Sequence, residues 1–170
     1  MAPLDSVVEQ YKYPILAAIL AVSFALWFFF FKVIPPPAEN LADYVVSGAV
    51  GLLVMLLIYK IAEKATGSAG AGLFSAAMAS TITLYSWKTV AQLTHTVSLF
   101  FFLLSILALL YVKEINWTLL IIPVLTFSLL HVYSLALVPI FLLYSGVMWL
   151  EKKEMSRDEF YFILTSAAVL

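Results

Sequence analysis

Two acidic residues four positions apart, Glu39 and Asp43, and a polar run holding Lys88, Gln92 and His95 are where this chain could do chemistry. A carboxylate set beside an acceptor hydroxyl can take its proton as a general base, and a Lys with a His can hold a phosphate. His131, in the run SLLHVYS, offers a second imidazole. Each of these groups also has an ordinary reading. Acids gather at helix N-termini for electrostatic reasons alone, a Lys beside Trp87 anchors a helix end at a membrane surface, and a His in a turn can satisfy an exposed carbonyl. The sequence leaves both readings open. It contains no phosphate-binding Gly-rich loop, no metal-binding helix motif and no nucleophile elbow. With no Cys, disulfides, thiol catalysis, iron–sulfur clusters and thiolate zinc sites are excluded, and no metal or other cofactor is expected.

The elements that must position these groups are hydrophobic. The chain is 64% hydrophobic and only 11% charged, with a mean hydropathy of +1.06, and its apolar residues fall in blocks close to bilayer length. The composition predicts an all-α, polytopic transmembrane bundle. Nucleic-acid binding is not expected, because the nine Lys and Arg sit in separate loops and the net charge is -1.

Tyr13 to Ile34 reads as the first span, stopped by Pro35, Pro36 and Pro37, and the N-terminal MAPLDSVVEQYKYP lacks the basic region and cleavage site of a signal peptide. Asn40 has the position of an N-cap for a second span from Leu41 to Tyr59. A loop from Lys60 to Ser68 follows. Gly72, Ala76 and Ser80 then recur every fourth residue, which predicts a third helix packed in the interior of the bundle. Val97 to Val112 is the fourth span. Trp117 to Leu150 has no charged residue and would measure about 51 Å as one helix against roughly 30 Å of hydrocarbon. Dividing it near Ser128 to Ser134 gives two short helices and a turn, with Pro123 and Pro139 each near a bend or a helix start. Ser156 and Glu159 have capping-box spacing and predict a last helix from Arg157.

Charge supports the division. Six spans put Lys12, Lys60, Lys64, Lys113, Lys152, Lys153 and Arg157 on one face and Lys32 and Lys88 on the other, seven against two. A single span in place of the hairpin would give four against five. Because Lys and Arg collect on the cytoplasmic side, the N-terminus is expected in the cytoplasm, with Glu39, Asp43, Lys88, His95 and His131 all on the outer face. Trp87, Trp117 and Trp149 fall at span ends, as an interfacial belt requires. Asn116-Trp117-Thr118 matches a glycosylation sequon but lies on the cytoplasmic side and reads as a chance match. The last helix would reach only about 21 Å, so residues 1–170 are expected to form one transmembrane domain of six spans plus a partial seventh. Such a chain is expected to be a fragment or N-terminal part of a longer protein, or a subunit whose last helix a membrane partner covers.

The stretch Gly51 to Val112, LLIYKIAEKATGSAGAGLFSAAMASTITLYSW followed by HTVSLFFFLLSILALLYV, resembles the membrane core of GT-C type glycosyltransferases, the class of oligosaccharyltransferase catalytic subunits and protein mannosyltransferases. In these a span ends in a basic cytoplasmic loop, an alanine-rich helix leads to an outer loop, and a long aliphatic span follows. The hairpin LLIIPVLTFSLLHVYSLALVPIFLLY is similar to their short paired helices with a polar turn. The resemblance implies transfer of a sugar from a polyprenyl-phosphate carrier, with Asp43 and Glu39 as catalytic acids and Lys88, His95 and His131 binding the carrier's phosphate. Two features depart from the pattern. The first outer loop, Pro35 to Leu41, is short, and Leu93-Thr94-His95-Thr96 stands where metal-dependent members carry a second acidic motif. The other readings are a non-catalytic subunit of a membrane complex and a transporter component. A transporter should carry ionisable groups at mid-membrane, and these spans have none.

Overall fold

The computed structural model describes residues 4–33, 41–85, 93–130, 132–151 and 153–170, with the backbone alone described at 4–6, 27–33, 41–44, 82–85, 93–95 and 132–133. Among the described residues the protein is all-α. The helices are α1 (Leu4–Val33), α2 (Leu41–Thr66), α3 (Ala69–Tyr85), α4 (Leu93–Tyr111), α5 (Trp117–Leu130), α6 (Leu137–Leu150) and α7 (Arg157–Val169), with a 3-10 turn at Val132–Ala136 between α5 and α6. They form two compact units, residues 1–100 and 101–170. One described segment, Val45–Thr66, is long and apolar enough to cross a membrane, while Thr96–Tyr111, Trp117–Leu130 and Ser134–Leu150 are shorter apolar helices.

In the first unit α3 lies along both α1 and α2. Gly67 turns the chain between α2 and α3 with φ +69°, a conformation that costs a residue without a Cβ little, and its N–H donates to the Glu63 carbonyl at 2.8 Å. The reversal brings Gly72 against Tyr59, which is fully buried. A Cβ on Gly72 would stand 2.8 Å from the Tyr59 ring and 3.0 Å from its carbonyl oxygen. Leu16, Tyr59, Leu73 and Ala76 form the core of this unit. Helix α3 therefore packs closely through Gly72 and Ala76, as the four-residue spacing predicts, but it is not interior in this unit, since Phe74 and Met78 on its other face are exposed. Helix α2 runs beyond Tyr59, the expected end of its span, to Thr66. Lys60, Glu63 and Lys64 are good helix formers, and the first residue that breaks the pattern is Gly67.

In the second unit helical structure stops at Leu130 and resumes through the 3-10 turn into α6, so the long apolar stretch is two helices. Trp117 stacks near Tyr161 with ring centroids 6.0 Å apart, and the Ser128 hydroxyl donates to the Val169 carbonyl at 2.9 Å, so α5 and α7 run parallel. Tyr144 bonds to Glu159 and Phe141 meets Phe162 edge-on at 5.9 Å, so α6 runs antiparallel to both. Ala108, Leu109, Val112, Ile121, Val124, Phe127, Leu137, Phe141 and Phe162 close the core between them. Pro139 sits in the first turn of α6, where its missing N–H costs nothing. Pro123 departs from expectation, lying inside α5. It forfeits one hydrogen bond, yet in apolar surroundings the other backbone groups have no partners except those of the helix, which continues through it.

Helix α7 begins at Arg157 as the capping box predicts: the Ser156 hydroxyl accepts from the Glu159 N–H and the Glu159 carboxylate accepts from the Ser156 N–H. Asn116 caps α5 in a similar way, its side-chain oxygen accepting from the Thr118 N–H at 3.1 Å and hydroxyl at 2.9 Å. The Asn116 side-chain oxygen and the Thr118 hydroxyl are thus engaged at a helix start.

Candidate functional site

Glu39, Lys88 and His131 lie outside the described residues, as do Asn40 and Gln92. Asp43 and His95 are placed by backbone, each the third residue of its helix, Asp43 in α2 and His95 in α4. The observation that relates them is one helical turn away from Asp43. Ser47 and Thr96, 1% and 5% exposed, hydrogen-bond to each other through their hydroxyls at 3.2 Å. This pair joins α2 to α4 within the first unit. Ser47 follows Asp43 by four residues, so the two share a helix face, and Thr96 follows His95 directly. The hydroxyl pair thus links the second turn of α2 to the first turn of α4.

A buried hydroxyl usually turns back onto its own helix, since that satisfies it without requiring a neighbour. Buried Ser23 and Ser105 do so, donating to the carbonyls of Ile19 and Phe101 at 2.6 and 2.7 Å. Ser47 and Thr96 also reach one another across two helices. The Ser in the run DYVVSGAVGLLV was visible in the sequence as a polar break in an apolar face, but its partner, 49 residues away, was not.

Two ionic clusters went unread in the sequence. In the first unit Lys12 lies 2.6 Å from Glu9 and 3.3 Å from Glu63. Glu63 also accepts from the Tyr59 hydroxyl at 2.7 Å and from Lys60 at 2.8 Å. The hydrogen bond to Glu9, and after it that to Glu63, holds Lys12 protonated above the ordinary lysine range in spite of its desolvation. Spacings of three and four residues made the Lys60 and Tyr59 partners of Glu63 legible, whereas Lys12 is joined to it only by the fold.

In the second unit Glu159 is fully buried. It accepts from the Tyr144 hydroxyl and from the Ser156 N–H, and Lys113 approaches at 3.3 Å from the α4–α5 connection. Each partner is a donor, an arrangement that suits the ionised carboxylate. Enclosed on every side, Glu159 is a structural lock with no access to a substrate. A groove of about 390 Å³ on α6, lined by Pro139, Leu142, Leu143, Gly146, Val147 and Leu150, contains no group able to do chemistry. No group of His, Asp and Glu that could hold a metal occurs among the described residues.

Comparison of the chain with protein families, curated proteins and solved structures finds no match.

Proposed function

We propose that this chain is a multi-pass membrane module with a cytoplasmic N-terminus that transfers sugar from a polyprenyl-phosphate carrier on the outer face, in the manner of the GT-C type enzymes whose sequence pattern it resembles. The Ser47–Thr96 bond carries this reading, because it links α2 one turn after Asp43 to α4 one residue after His95. Asp43 takes the proton of the acceptor hydroxyl as that oxygen bonds to the anomeric carbon. The bond from that carbon to the phosphate breaks, and the polyprenyl phosphate leaves with the electron pair. Lys88 and His95, with the N–H groups of two helix starts, stabilise the charge gained by the leaving phosphate. Glu39 supplies a second carboxylate near the acceptor.

A non-catalytic subunit of a membrane complex is the second reading. It is favoured by the structural use of Glu63 and Glu159 and by the exposed apolar residues Leu142, Leu143 and Leu150 of α6. Asp43→Asn separates the two, since Asn caps a helix as well as Asp but lacks its charge and basicity. In the membrane-embedded protein, transfer from a polyprenyl-phosphate sugar to acceptor should fall by about 10²- to 10⁴-fold while folding is preserved. Unchanged transfer in the variant would leave Asp43 as a helix cap.

A further inference from the structure

We propose that Ser47 and Thr96 are positioning residues that set the spacing between Asp43 and His95; this rests on the functional reading above. Both hydroxyls are almost wholly enclosed, yet they bond across two helices at 3.2 Å. Theirs is a hydroxyl-to-hydroxyl bond between helices, joining residues 49 positions apart in the chain. A polar pair inside apolar surroundings has no water to exchange with, so it resists sliding or rotation of one helix against the other. Its location gives that resistance a purpose. One α-helical turn rises about 5.4 Å, so a rotation or slip at the pair is carried directly to Asp43 above Ser47. On α4 the lever is shorter still, since His95 and Thr96 are consecutive. A displacement of about 1 Å at a reacting group can cost on the order of 10²-fold in rate, so a bond that fixes α2 against α4 acts on the site without touching substrate.

The Cys-free chain allows this spacing to be read without turnover. In membranes, Asp43→Cys combined with His95→Cys should be bridged by a short bifunctional thiol reagent. Adding Thr96→Val, which keeps shape and removes the hydroxyl, should slow bridging by about three- to tenfold, the range expected for an interhelical hydrogen bond in a membrane. Thr96→Ser, which restores the hydroxyl without the methyl, should return the rate to that of the parent pair. Failure of the parent pair to bridge, equal rates with and without the Thr96 hydroxyl, or a Thr96→Ser rate as slow as that of Thr96→Val would each overturn the proposal. Bridging needs no sugar transfer, so unchanged transfer by Asp43→Asn counts against the functional reading and leaves the positioning result standing.

Discussion

Glu159 carries the largest consequence of any described side chain. Removing its carboxylate strands the Tyr144 hydroxyl and the Ser156 N–H together, and it deprives Lys113 of its partner. Each buried donor left without an acceptor typically costs about 1–3 kcal/mol, whereas loss of an N-cap hydroxyl costs about 1 kcal/mol. Glu159→Ala should therefore destabilise the protein far more than Ser156→Ala, measured by unfolding in mixed micelles. Equal losses would mean that Glu159 serves only as the back half of the capping box. The sequence reached half of this result. Ser156 and Glu159 three apart gave the cap, because that contact is local. The enclosure of Glu159 depends on Tyr144 and Lys113, which lie 15 and 46 positions away, and no periodicity in the chain signals it.

At the scale of elements, two glycines make a controlled comparison. A methyl on Gly72 would meet the Tyr59 ring at 2.8 Å and its backbone oxygen at 3.0 Å, whereas nothing lies within 4 Å of one on Gly146. The Tyr59 ring is itself pinned by its hydroxyl on Glu63, so it has little freedom to move aside. Gly72→Ala should cost about 1–3 kcal/mol through overpacking of α2 on α3. Gly146→Ala in helix α6 should be neutral or should stabilise by up to about 1 kcal/mol through helix propensity. Thermal unfolding of the two variants checks both, and a harmless Gly72→Ala would contradict the α2–α3 register. That register was legible in outline, since Gly72 and Ala76 recur at helical spacing. The α5–α6 reversal was legible too, because an uncharged stretch longer than a bilayer forces a break, and Ser128 to Ser134 was where one could fall. What misled was local chemistry taken too literally. Charged residues after Tyr59 looked like a loop but extend α2, and Pro123 looked like a boundary but sits within α5.

For the whole molecule, the proposed function depends on the side of the membrane to which each loop belongs. The candidate site was legible as a set of polar residues grouped by predicted face. Its geometry was not, because the described contact that bears on it, the buried Ser47–Thr96 bond, joins residues 49 positions apart. Seven of nine Lys and Arg fall on one predicted face, with Lys64 among them and Lys88 opposite. Single Cys substitutions at these two positions, probed in intact cells with a membrane-impermeant thiol reagent, test that arrangement most directly. The proposed topology requires Lys88→Cys to be labelled from outside and Lys64→Cys to be labelled only after the membrane is opened. Labelling of position 64 in intact cells, or protection of position 88, would contradict it and remove the outer-face site with it.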